Sequence, residues 1–132
     1  MRDHPIVISE PDARVLRGLL ARAAQGHDQE HLEELSEELE RAQVLQPEHV
    51  AAEVVTMHKQ LRILDLSSGT RQELTLVGPA EADVSARRIS VLAPLGTALL
   101  GYREGDEVEW RMPGGVRRLR IESVQAAHVG AH

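Results

Sequence analysis

The stretch Ile89-Ser90-Val91-Leu92-Ala93-Pro94-Leu95-Gly96-Thr97-Ala98-Leu99-Leu100-Gly101 limits the fold of this chain more than any other. Apolar and β-branched residues lead into a proline, which is tolerated at the first turn of a helix because that position needs no N–H donor. Ala98-Leu99-Leu100 then favours a single helical turn, and Gly101 is placed to stop it in a left-handed conformation. Gly105-Asp106 marks a turn, and Met112-Pro113-Gly114-Gly115 marks another after a second apolar run. The local order is therefore strand, short helix, turn, strand.

The residues available for a core narrow the choice further. Among 132 residues there is no Phe, one Trp (Trp110) and one Tyr (Tyr102), so the interior must be built from Leu, Val, Ile and Ala. The length suits one ordinary domain, or a small domain with an appendage. No apolar run approaches the roughly 18 residues that a membrane span requires. Met1-Arg2-Asp3-His4-Pro5 lacks the apolar region of a secretion signal, and the absence of Cys fits a reducing compartment. A cytoplasmic protein with no membrane contact is the expectation.

Charge is distributed unevenly. Residues 28–45 hold seven acids (Asp28, Glu30, Glu33, Glu34, Glu37, Glu38 and Glu40) against Arg41, which equals the formal net charge of −6 for the whole chain. Binding to a nucleic-acid backbone needs a basic face, so direct nucleic-acid contact is not expected and a basic protein surface is the better match.

In chain order, Ile6-Val7-Ile8 leads to Ser9, which occupies an N-cap position with Asp12 three residues on. Ala13, Leu16, Leu19, Leu20 and Ala23 follow at helical spacing, weakened by Gly18, and Gly26 ends that helix. A second helix is expected from Asp28, with Leu32, Leu35, Leu39 and Ala42 forming its seam. Two helices joined by a few residues fold back antiparallel and bury one leucine stripe against the other. Gln46-Pro47-Glu48 breaks this pattern, and from Val54 the period becomes that of strands. Leu61 to Leu66 and Glu73 to Val77 flank the turn Ser67-Ser68-Gly69; Val108, Trp110 and Met112 alternate with Glu107, Glu109 and Arg111. A last strand, Val116 to Val124, closes the sheet with Leu119 and Ile121 inward. The expected class is α+β: a short helical hairpin or coiled coil over residues 1–46, then an antiparallel β domain with one short helix over 47–132.

Val77-Gly78-Pro79-Ala80-Glu81-Ala82-Asp83, Ile89-Ser90, Ala93 to Gly101, Gly105-Asp106 and Pro113-Gly114-Gly115 together resemble the C-terminal domain of the Gre transcript-cleavage factors. Over nearly the whole chain, the similarity is greater to one branch, the regulators of nucleoside diphosphate kinase, through Glu40-Arg41-Ala42-Gln43 and Val54-Val55-Thr56-Met57. The resemblance implies an FKBP-like β domain that docks on the rim of the secondary channel of bacterial RNA polymerase. It implies partner contacts at Leu95, Leu99, Leu100 and Asp83. It also raises nucleoside diphosphate kinase as a second partner, although no sequence feature is aimed at that enzyme.

Gre factors carry two acidic tip residues on a long coiled coil to the polymerase active centre, where these help hold a catalytic metal. Here Asp28 and Glu30 lie at the hairpin tip, but each arm of roughly 14 to 18 residues reaches only about 20–27 Å at about 1.5 Å per residue. That is about half the family's reach, and a carboxylate that stops short of a metal contributes nothing to its chemistry. Asp28 as N-cap and Glu30 in the first turn have ordinary structural roles. Prolyl isomerisation needs a pocket walled by several aromatics, which two aromatics cannot build. His27 and His31 flank Asp28 and Glu30, yet His27 precedes the helix and need not share its face. Arg111, Arg117, Arg118 and Arg120 read as an outward strand face paired with Glu107 and Glu109. No catalytic residue, metal or cofactor is expected.

Overall fold

The computed structural model describes residues 6–23, 30–112 and 114–125. The chain divides into two compact units, Met1–Ala51 and Ala52–His132.

The first unit follows from the cap and the leucine spacing. Strand β1 (Val7–Ser9) runs directly into helix α1 (Glu10–Ala23), and the Asp12 amide donates to Ser9 Oγ at 3.3 Å. Ser9 therefore satisfies one of the amide donors that a helix start leaves without a partner. Ala13, Leu16 and Leu20 are buried on α1; Leu32, Leu35 and Leu39 are buried on helix α2 (Glu30–Glu40). The two helices pack on each other. Strand β2 (Gln43–Leu45) then pairs in parallel with β1, through Val7↔Gln43 to Ser9↔Leu45. The alternation of Ile6-Val7-Ile8 is too short to announce this pairing, and Ile6 and Ile8 are both fully buried. A 3₁₀ turn over Pro47–His49 occupies the proline break.

The second unit is a five-stranded sheet of order β5-β4-β3-β7-β6, formed by β3 (Gln60–Asp65), β4 (Arg71–Val77), β5 (Arg88–Ser90), β6 (Glu107–Met112) and β7 (Gly115–Gln125). It is mixed, which corrects the expectation of an antiparallel sheet. Strand β5 runs parallel to β4, with Leu76 opposite Ile89. The chain leaving Val77 passes through 3₁₀ turns at Pro79–Glu81 and Val84–Ala86, which carry it back two residues along β4, to pair Arg88 with Thr75, before it re-enters the sheet. A second correction concerns β7. It lies between β3 and β6 rather than closing the sheet, because its length lets it pair with both.

Strand β7 also breaks its own period. Ile63 faces Ile121 while the adjacent Arg62 faces Ser123, so Glu122 is the extra residue of a bulge. The inward residues are consequently Leu119, Ile121 and Val124. They join Leu61, Ile63, Leu74 and Leu76 in a predominantly aliphatic interior. Among the described residues, no helix is long and apolar enough to cross a membrane.

Candidate functional site

Helix α3 (Pro94–Leu99) packs beside β5 and β6. Pro94 takes its first turn, Thr97 Oγ1 donates to the Pro94 carbonyl at 3.0 Å, and Gly101 adopts φ +86°, the conformation expected of it. The close seating of α3 rests on Gly96. A Cβ there would stand 2.3 Å from the Ser90 carbonyl oxygen and 3.0 Å from Val91 Cα. Ser90 shapes the approach, since its Oγ accepts from the Leu92 amide at 3.1 Å. Spacing alone gives no sign that Gly96 is needed, because the clash arises between segments that only the fold brings together.

Leu99 and Leu100 are both fully buried and belong to the core, while Leu95 is half-buried. Of Leu95, Leu99 and Leu100, Leu95 alone keeps surface available to a partner. Complete burial of Leu99 and Leu100 contributes about 1.5–3 kcal/mol for each side chain, which makes them the anchors of α3.

Asp83 is exposed at the turn that precedes β5. Its backbone is fixed by two reciprocal hydrogen bonds with Arg88, each 2.9 Å: the Asp83 amide to the Arg88 carbonyl and the Arg88 amide to the Asp83 carbonyl. Its carboxylate accepts from Ser85 Oγ at 2.7 Å and from the Ser85 amide at 3.1 Å. The Ser85 hydroxyl, then backbone amides and the Arg88 charge, hold this carboxyl below its usual value despite some desolvation. Arg87 closes the turn in the left-handed region at φ +60°. Val84 is 82% exposed at its apex, an apolar side chain presented to solvent by a braced loop.

Asp28 lies outside the described residues, as do His27 and the side chains of Glu30, His31 and Arg111. The described part of helix α2 runs from Glu30 to Glu40. The arginines of β7 pair more widely than expected: Arg120 and Arg118 reach Glu107 at 2.9 and 3.8 Å, whereas Arg117 reaches Asp65 at 2.8 Å. Among the described residues, no group of three or more His, Asp or Glu is arranged to hold a metal.

Residues 50–126, more than half of the chain, match the family described as "Transcription elongation factor, GreA/GreB, C-term". The chain belongs to this GreA/GreB C-terminal family. Its residues 4–45 match a second family, the Rnk N-terminus.

A protein named "Regulator of nucleoside diphosphate kinase" from Escherichia coli is 46% identical over 82 residues, 62% of this chain and 60% of that protein. The match thus spans less than two thirds of that relative. "Transcription elongation factor GreA" from Bartonella henselae is 31% identical over 105 residues, covering 80% of this chain and 67% of the relative. A solved structure, "Prokaryotic transcription elongation factor GreA/GreB from Nitrosomonas europaea", superposes with a TM-score of 0.78 at 43% identity, covering 93% of this chain and 99% of the other. The relatives are named as regulators and elongation factors.

Proposed function

We propose that this chain is a non-enzymatic transcription regulator that docks on RNA polymerase at the secondary-channel rim and competes there with Gre factors. The observation that carries this reading is the pairing of a GreA/GreB C-terminal domain over residues 50–126 with helices whose described residues number 14 and 11. At about 1.5 Å per residue those helices extend about 21 and about 16 Å.

The β domain, residues 47–132, supplies most of the affinity through Asp83 and Leu95, with Leu99 and Leu100 seating the helix that presents Leu95. The N-terminal hairpin, residues 1–46, bears the acidic tip and the exposed glutamates of α2, and lies against basic surface at the channel mouth. It delivers no carboxylate to the catalytic centre. The protein acts in the cytoplasm without metal or cofactor and without direct contact to nucleic acid. Binding falls as salt rises, because exposed charges carry the hairpin's share.

The test is capture of polymerase core by the protein in competition with a Gre factor. Displacement by excess competitor supports a shared site, and binding that excess competitor leaves unchanged rejects it. A true cleavage factor would instead shorten the RNA of backtracked complexes.

Regulation of nucleoside diphosphate kinase is a second reading, favoured by the printed name of the 46%-identical relative. A direct titration of this protein against that kinase decides it.

A further inference from the structure

The second unit begins at Ala52, and the segment Glu53 to Val55 lies outside its five-stranded sheet. It pairs antiparallel with the chain that leaves α3, at the bridge Val54↔Arg103. Three backbone hydrogen bonds hold this short ladder. The Val55 amide donates to the Tyr102 carbonyl at 2.7 Å, the Gly101 amide to the Val55 carbonyl at 3.0 Å, and the Glu104 amide to the Glu53 carbonyl at 2.8 Å. Arg103 Nη1 also meets Glu53 Oε1 at 3.4 Å. Val54 and Val55 are fully buried, as are Leu99 and Leu100 at the end of α3. The ladder therefore fixes where α3 ends.

Carbonyls alternate along the segment. Those of Glu53 and Val55 face the ladder, whereas those of Ala52 and Val54 are taken by Lys59, whose Nζ donates to them at 3.1 and 2.8 Å. Between acceptors and donor the chain turns at His58, which holds φ +70° while its amide donates to the Leu76 carbonyl at 2.7 Å. The ammonium thus serves the side of the segment where a further strand would otherwise supply donors. Lys59 is the one lysine of the chain, beside fourteen arginines. An ammonium is a compact charge with three donors and suits two carbonyls that converge on one point, whereas a guanidinium presents a planar fork.

We propose that Lys59 is a positioning residue: its charge clamps Glu53–Val55 onto the segment Gly101–Glu104 and, through that ladder, holds the end of α3 in the place from which the helix presents Leu95. Hydrogen bonds from a charged donor are stronger than those between neutral groups, so removing the charge while keeping the side chain's length should loosen the ladder. The consequence for polymerase rests on the docking proposal above, but the clamp itself is tested without polymerase.

The chain has no cysteine, so Lys59→Cys places a single thiol in the full-length protein. Bromoethylamine converts that thiol into an ammonium-bearing side chain of nearly lysine length, and iodoacetamide converts it into a neutral one. Amide hydrogen exchange of the two adducts and the wild type is compared at one pH. Exchange at Val55, Gly101 and Glu104 is expected to be at least about fivefold faster in the neutral adduct and within about twofold of wild type in the ammonium adduct, with β4 and β7 unchanged in both. The proposal is overturned if the neutral adduct keeps wild-type exchange at those amides, if the two adducts exchange alike, or if the acceleration spreads equally over β4 and β7. Wild-type protein that fails to capture polymerase while its adducts show the expected pattern would count against docking and leave the clamp standing.

Discussion

At the scale of single residues, the seating of α3 leaves no room for a side chain at Gly96. Gly96→Ala pushes a methyl into the Ser90 carbonyl oxygen, which is backbone and cannot swing aside. It should cost about 1–3 kcal/mol by chemical denaturation, the usual range for overpacking. Leu100→Ala removes a fully buried side chain from the same region and should cost about 2–5 kcal/mol. Acid should act through Glu122, whose carboxylate meets Arg71 Nε at 2.8 Å from the bulge of β7. The hydrogen bond from Arg71, then the arginine charge, lowers its carboxyl from the ordinary 4.5 against a desolvation effect of opposite sign. With the folded-state value depressed, the pair's stabilisation is complete above about pH 4.5 and lost as pH falls through the folded value. Stability measured against pH should therefore fall less steeply below that point in Glu122→Gln than in the wild type. The residues a sequence reveals here are those whose roles are local. Pro94 and Gly101 act on their own turn and read correctly. Gly96 and Glu122 act across the fold and do not.

At the scale of elements, the helices were the most legible because their leucines repeat over several turns. Leu16 and Leu20, and Leu32, Leu35 and Leu39, are buried as their spacing predicts. The three-residue strands were not legible, since β1, β2 and β5 are too short to establish a period. The parallel entry of β5 depends on two 3₁₀ turns, which have no distinctive periodicity. Helix α1 offers a favourable change. Gly18 lies within it, and an added Cβ would meet nothing within 4 Å. Gly18→Ala should raise stability by roughly 0.5–1 kcal/mol through its helix propensity. Ser9→Ala should do the opposite by about 1 kcal/mol, since it removes the acceptor for the Asp12 amide. Thermal or urea melts of both variants, followed by far-ultraviolet circular dichroism, check the two signs together.

At the scale of the whole molecule, each unit has its own buried aliphatic set and its own sheet. Leu35→Ala should loosen the first unit by about 2–5 kcal/mol while leaving the amide shifts of β3, β4 and β7 in place. A heteronuclear correlation spectrum would show a collapse confined to residues 6–45 if the units are energetically separate. The aliphatic interior bears directly on how this could be followed. Trp110 is the chain's single tryptophan and sits half-buried on β6, with its indole N–H sequestered and no acceptor among the described residues. Intrinsic emission excited near 295 nm therefore reports on the sheet of the second unit alone. Helical ellipticity draws chiefly on α1 and α2, which both lie in the first. Two optical signals that merely duplicate each other in most small proteins become, in this one, separate gauges for its two halves, and the gap between their midpoints measures how tightly the halves are coupled.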